Sequence, residues 1–263
     1  ASGLVYCLDA LSGSIIWDFT PSNGVFYASP AVTDGFLYIA DWYGKIYCLD
    51  ASNGNEKWSH QTYGYCLSSP AVVDGFVYIG SGDGKIICLN ANTGEEVWSF
   101  STGTDKPSQA HAVASSPAVV DGFVYAGSQD GKIYCINASK GEKVWSYETG
   151  SWVQSSPAIA NGYIYIGSND ETLYCLNASN GEKIWIYLAT LKDVPNYGIQ
   201  SSPAIAANCV YFGSSNYFYC LDATTGDKIW DYPATGNIGW NSPAIANNTI
   251  YITTQNGNIH AFS

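Results

Sequence analysis

The tripeptide Ser-Pro-Ala returns six times in this chain, with its proline at Pro30, Pro70, Pro117, Pro157, Pro203 and Pro243. Successive intervals are 40, 47, 40, 46 and 40 residues. A second anchor, Cys-(Leu/Ile)-(Asp/Asn)-Ala, keeps step at Cys7, Cys48, Cys88, Cys135, Cys175 and Cys220. A third is a tryptophan, at Trp17, Trp58, Trp98, Trp145, Trp185 and Trp230. A period of this length means that each repeat is one supersecondary unit, which buries its apolar faces only by stacking on its neighbours. The whole chain, 1–263, is therefore expected to form one domain of repeated units.

Within a unit the pattern is four short strands. In residues 68–100, Ser-Pro-Ala-Val-Val is strand A and ends at Asp74-Gly75; Phe-Val-Tyr-Ile-Gly is strand B and ends at Asp83-Gly84. Lys-Ile-Ile-Cys-Leu is strand C, ending at Thr93-Gly94, and Glu-Val-Trp-Ser-Phe is strand D. Asp-Gly pairs between β-branched and aromatic runs mark hairpins, because both residues tolerate positive φ. The proline opens strand A, where a missing N–H is cheap. Four antiparallel strands in each unit of about 40 residues predict an all-β fold, a β-propeller of four-stranded antiparallel blades.

Strand C occurs seven times, the seventh copy being residues 258–262 with Ala261 in the cysteine slot. Six Ser-Pro-Ala anchors favour six blades, with N-terminal strands 3–20 closing the ring and Trp17 on a strand that latches the last blade. Seven or eight blades is the alternative if the chain is a fragment.

Each unit's A-x-x-G-x-x-x-W ending (residues 51–58, 138–145, 178–185 and 223–230) and S-P-A-x-x-x-x-x-x-Y-x-G opening resemble the pyrroloquinoline-quinone (PQQ)-like propeller repeat family. The resemblance runs along essentially the whole chain. It implies a propeller, and either a quinoprotein dehydrogenase, an outer-membrane-assembly-type lipoprotein scaffold or a surface protein. The resemblance makes the six repeat tryptophans structural, as docking residues between blades.

Charge separates these functions. The chain has 10 lysines, no arginine and 22 acidic residues, a net charge of −12. Such a surface cannot neutralise a run of phosphates, so nucleic acid is not an expected partner. A tricarboxylate quinone held in this family by cationic side chains would lack charge-assisted bonds, and the adjacent cysteine pair of many such dehydrogenases is absent. No enzyme activity, cofactor or metal site is expected. No apolar run reaches the ~20 residues of a membrane-spanning helix. Six cysteines recur one per unit, spaced too far apart for the ~7 Å limit of a disulfide, and Cys66 and Cys209 fall on different, non-adjacent blades, so all eight are expected to be free thiols.

The remaining signal is asymmetry between the two faces. A–B and C–D turns are short and uniform, with an Asx residue at Asp50, Asn90, Asn137, Asn177 and Asp222. B–C turns and D–A connections carry the variation, including longer stretches near residues 104–112 and 191–199. The three non-repeat tryptophans, Trp42, Trp152 and Trp240, fall on this second face with Tyr43, His111 and Tyr197. Aromatic anchors on rigid loops suit protein or carbohydrate recognition. The expected function is a non-enzymatic binding scaffold, extracellular, cell-surface or periplasmic, standing alone or as one module of a larger surface protein.

Overall fold

The computed structural model describes residues 3–21, 24–103, 112–189 and 198–263, which contain 25 strands arranged in seven antiparallel sheets. The first sheet is a hairpin, Val5–Leu8 (β1) with Ile15–Phe19 (β2). Five four-stranded sheets follow. The first of these holds Ala31–Thr33 (β3), Phe36–Ala40 (β4), Lys45–Asp50 (β5) and Glu56–Gln61 (β6). The next holds Ala71–Val73 (β7), Phe76–Gly80 (β8), Lys85–Asn90 (β9) and Glu96–Ser101 (β10). Then come Ala118–Val120 (β11), Phe123–Gly127 (β12), Lys132–Asn137 (β13) and Lys143–Glu148 (β14). Ala158–Ala160 (β15), Tyr163–Gly167 (β16), Thr172–Asn177 (β17) and Lys183–Leu188 (β18) make the fourth. Ala204–Ala206 (β19), Cys209–Ser214 (β20), Tyr217–Asp222 (β21) and Lys228–Pro233 (β22) make the fifth. The last sheet has three strands, Ala244–Ala246 (β23), Thr249–Thr253 (β24) and Ile259–Phe262 (β25).

The all-β, four-stranded propeller unit is thus as expected, but the count and the closure are not. There are seven sheets rather than six blades, and the N-terminal latch does not form: β1 and β2 pair only with each other. The reason is local. Cys7 faces Trp17 in the same register as Cys48 with Trp58 and Cys135 with Trp145. Asp9 closes this hairpin by accepting the N–H groups of Leu11 and Ser12. The hairpin then buries Val5 and Trp17 against Leu37, Ile39, Tyr47 and Leu49 of the following sheet. Counting Ser-Pro-Ala anchors overlooked this unit because its described strands are only C and D.

One joint recurs between units. Five of the six strand-D tryptophans cross to the next sheet, donating the indole N–H to the alanine carbonyl at the C–D turn: Trp17 to Ala51, Trp58 to Ala91, Trp98 to Ala138, Trp145 to Ala178 and Trp185 to Ala223, at 2.9–3.1 Å. The strand-B tyrosines Tyr38, Tyr125 and Tyr165 donate to those same carbonyls, at 3.0–3.3 Å. The indole lies flat on the turn glycine. A Cβ added at Gly181 would sit 2.7 Å from Trp145, and its φ of +73° is itself unfavourable for other residues. The A-x-x-G-x-x-x-W ending is therefore a socket and a plug that belong to different joints.

A second ladder ties the innermost strands together. The anchor serines pass their backbone N–H to the next unit's serine hydroxyl: Ser29 to Ser69, Ser69 to Ser116, Ser116 to Ser156, Ser156 to Ser202 and Ser202 to Ser242, at 2.9–3.0 Å. The longer D–A connections do not alter this spacing.

The A–B turns require positive φ at two successive residues, and Asp74-Gly75 or Asn161-Gly162 supply it. In β19–β20 the first position is Ala207, with φ of +49°. Ala207→Asn is expected to raise stability by roughly 0.5–1 kcal/mol, since a short polar side chain tolerates this region better than alanine. A urea midpoint that fails to rise contradicts this assignment.

All eight cysteines are free thiols. Apart from half-buried Cys7, those of strand C are buried beside strand-B tyrosines, in pairs such as Tyr78 with Cys88 and Tyr125 with Cys135.

Candidate functional site

The two faces are built as the turn pattern predicts. On one, each C–D turn is tied to the A–B turn of its own sheet, as Ala91 N–H to the Gly75 carbonyl and Ala138 N–H to that of Gly122. Asx side chains cap the C–D turns, Asn90 accepting from Asn92 at 2.9 Å and Asn177 from Ser179 at 2.9 Å.

On the other face each D–A connection is held between two successive B–C turns. Val153 N–H reaches the Ser128 carbonyl of the preceding sheet, and Asn169 N–H of the following sheet reaches the Trp152 carbonyl. Val113 with Ser81, and Gly82 with Tyr65, repeat the arrangement. Strand-C tyrosines brace several of these turns: Tyr47 donates to Asp41 at 3.0 Å, Tyr134 to Asp130 at 2.5 Å and Tyr174 to Asp170 at 2.6 Å. Burial, with the adjacent carboxylate, holds the Tyr47 and Tyr174 hydroxyls protonated well above their ordinary range.

This braced face carries the non-repeat tryptophans. Trp42 stacks on Tyr65 with ring centroids 4.9 Å apart and an interplanar angle of 15°, and meets the edge of Tyr27 at 5.4 Å. Tyr65 in turn covers Gly82, where a Cβ would lie 2.7 Å from its ring. Trp152 and Trp240 are 46% and 54% exposed, and Tyr43 is exposed beside Trp42. His111 and Tyr197 lie outside the described residues, as does most of both longer connections.

Trp240 also borders a cavity of about 210 Å³ where the D–A connections enter strand A. The residue three before each anchor proline lines it in all six units: Tyr27, Leu67, Ala114, Gln154, Gln200 and Trp240. The ladder hydroxyls of Ser116, Ser156 and Ser202 complete the wall. The sequence reading named Trp240 here but missed Tyr27, Tyr65 and the two glutamines. Only an alignment of that one slot across the repeats would have shown Tyr27, Gln154 and Gln200 as a set, and Tyr65 lies outside it.

The cavity wall contains no ionisable residue other than the tyrosine phenol. A tricarboxylate quinone would find no cation there, so the donor set does not fit that cofactor. Among the described residues no cluster of three or more His, Cys, Asp or Glu side chains is placed to hold a metal ion.

The family model described as outer membrane protein assembly factor BamB matches residues 1–134 and 106–263. The chain belongs to that family. Among solved structures it is similar to BamB from Moraxella catarrhalis, with a TM-score of 0.84 and 22% identity, over 99% of this chain and 78% of that one. It is also similar to the quinohemoprotein alcohol dehydrogenase ADHIIG from Pseudomonas putida HK5 (TM-score 0.80, 18% identity), covering 98% of this chain and 53% of that one. A europium-containing methanol dehydrogenase gives a TM-score of 0.81 at 15% identity, over 98% of this chain and 72% of that chain. At these identities the solved structures speak for the fold. No curated protein sequence matches. Among the described residues of this BamB-family chain, no helix is long and apolar enough to cross a membrane.

Proposed function

We propose that this chain is a non-enzymatic binding scaffold whose recognition surface is the face formed by the B–C turns and D–A connections. The observation that carries the reading is the concentration of solvent-facing rings on one braced face. Trp42, Tyr65 and Tyr27 form a contiguous cluster, with Trp240 beside the cavity and Trp152 exposed on another D–A connection. The equivalents of Trp42 in the neighbouring units are Gly82, Gln129 and Asn169, so folding alone does not call for an indole at that place.

Membership of a family described by an assembly factor supports a protein partner and an outer-membrane, periplasmic or extracellular setting. A rigid aromatic presented at low entropic cost is the usual anchor of such contacts. The test is quantitative crosslinking in the native host with wild-type protein and with Trp42→Ala, Trp152→Ala and Trp240→Ala. A specific partner should be lost with a cost of about 2 kcal/mol per anchor. The Trp152 and Trp240 variants should hold their melting temperature, since neither ring is buried. Undiminished capture by all three variants would place recognition elsewhere.

A further inference from the structure

We infer that the cavity bordered by Trp240 is a carbohydrate subsite that takes one neutral pyranose ring, deepening the scaffold reading and resting on it. Three observations lead there, beginning with the serine ladder. Ser116, Ser156 and Ser202 each accept the preceding unit's backbone N–H on their hydroxyl oxygen, at 2.9 Å. Each hydroxyl proton is left without a protein acceptor among the described residues, and all three side chains line the cavity. The ladder that spaces the blades thus leaves a row of O–H donors along the wall.

The second observation is an oriented pair of amides. Asn169 Nδ2 donates to Gln154 Oε1 at 3.1 Å, and Gln200 Nε2 donates to the same oxygen at 3.3 Å. With that oxygen used twice, Gln154 retains its NH₂ as a donor and Gln200 retains its carbonyl as an acceptor. Neither has another protein partner among the described residues. A donor beside an acceptor is what adjacent sugar hydroxyls require, because each hydroxyl both gives and receives.

The third is the balance of charge and shape. No carboxylate, lysine or histidine lines the cavity, and the chain carries a net charge of −12. An anion would find no counter-charge, and a cation no carboxylate. Tyr27 and Trp240 offer apolar ring surface for the C–H face of a sugar while their polar tips stay hydrated. At about 210 Å³ the space is below the ~300 Å³ where pockets for drug-sized ligands begin. One ring fits, and the rest of a glycan would leave across Tyr27 and Trp42.

Ligand-observed NMR and calorimetry with the methyl pyranosides of glucose, galactose, mannose and N-acetylglucosamine test this. Saturable millimolar binding of at least one is expected, weakened at least tenfold by Gln154→Leu and, separately, by Gln200→Leu. A melting curve for each variant checks that the fold persists, and two independent variants guard against the loss of either one. Absence of binding by all four sugars overturns the inference, as does binding that neither glutamine variant weakens. Preferential binding of acetate, phosphate or tetramethylammonium also overturns it, by assigning the cavity to an ion. Trp152→Ala separates the two readings, since it should leave the pyranoside affinity unchanged while weakening a protein partner. If sugar binding fails while partner capture still depends on the rim tryptophans, only this inference falls.

Discussion

Trp145→Ala should lower the stability of this protein by about 3–5 kcal/mol, the usual cost of emptying a buried indole site. The side chain is 9% exposed, lies flat on Gly181 and donates to the Ala178 carbonyl at 3.0 Å. Trp145→Phe keeps part of the packing and loses the N–H; Tyr125 still reaches the same carbonyl at 3.2 Å, so a loss of roughly 1 kcal/mol is expected. Gly181→Val attacks the joint from the other side, through both its φ of +73° and the ring above it. Because units in a repeat array are coupled mainly through their interfaces, the Ala and Val variants should also broaden the urea transition or split it in two. A sharp, unshifted transition in Trp145→Ala would contradict the plug-and-socket assignment. Trp152→Ala is the control and should fall within about 0.5 kcal/mol of wild type.

The second large effect is alkaline. Burial pushes the thiols of Cys88, Cys135 and Cys175 up to about 12 and that of Cys48 to about 11. Burial raises the Tyr38 and Tyr78 hydroxyls to about 12 as well. In the unfolded chain these groups release their protons near their ordinary values, about 8.5 for a thiol and 10 for a phenol. The folded state therefore binds more protons above pH 9, and its stability falls as pH rises through the window from about 9 to 12. Each thiol that ionises only on unfolding adds a slope of up to about 1.4 kcal/mol per pH unit. Urea midpoints should be level near pH 7, begin to fall by about pH 8 and drop steeply above about pH 9. Tyrosinate absorbance should appear together with unfolding, and Cys88→Val with Cys135→Val should shallow the slope. A midpoint unchanged through pH 11 would show that these groups are hydrated in the native state. At neutral pH the same burial should keep the thiols of Cys48, Cys88, Cys135 and Cys175 inert to alkylation until the protein unfolds.

What could be read beforehand follows from how each feature is encoded. Strands and turns are local: Asp74-Gly75 makes a hairpin whatever surrounds it, and Cys88 with Trp98 fixes the register of strands C and D. The division of faces follows from strand direction, which alternates without exception. The number of sheets was misjudged because the count used strand A, and the first hairpin is described only as C and D. The latch was misjudged because it assumed that an edge prefers a distant partner, whereas β1 and β2 satisfy each other through a short turn. The cavity escaped notice for a different reason. Gln154 and Gln200 stand 46 residues apart and look like ordinary loop residues, yet they meet at 3.3 Å. Their meeting is set by the angle between blades, which no single repeat contains.

The recurring indole joint also bears on how the chain avoids assembling wrongly. Five sockets of Ala carbonyl and turn glycine are chemically alike, so any plug could enter any socket with similar energy. Order must then come from proximity: a connection of 12 or 13 residues between most tryptophans and the next anchor gives the sequence neighbour an advantage in effective concentration over every remote one. The residue packed on the strand-B glycine adds a weak address, being Val113 on Gly80, Val153 on Gly127, Ile199 on Gly167 and Ile238 on Gly213. Two chains unfolded side at high concentration would lose the advantage of proximity, because a neighbour's socket is then as near as one's own. Refolding yield should therefore fall with protein concentration through exchange of whole units between molecules, a failure intrinsic to a repeat array whose parts are interchangeable.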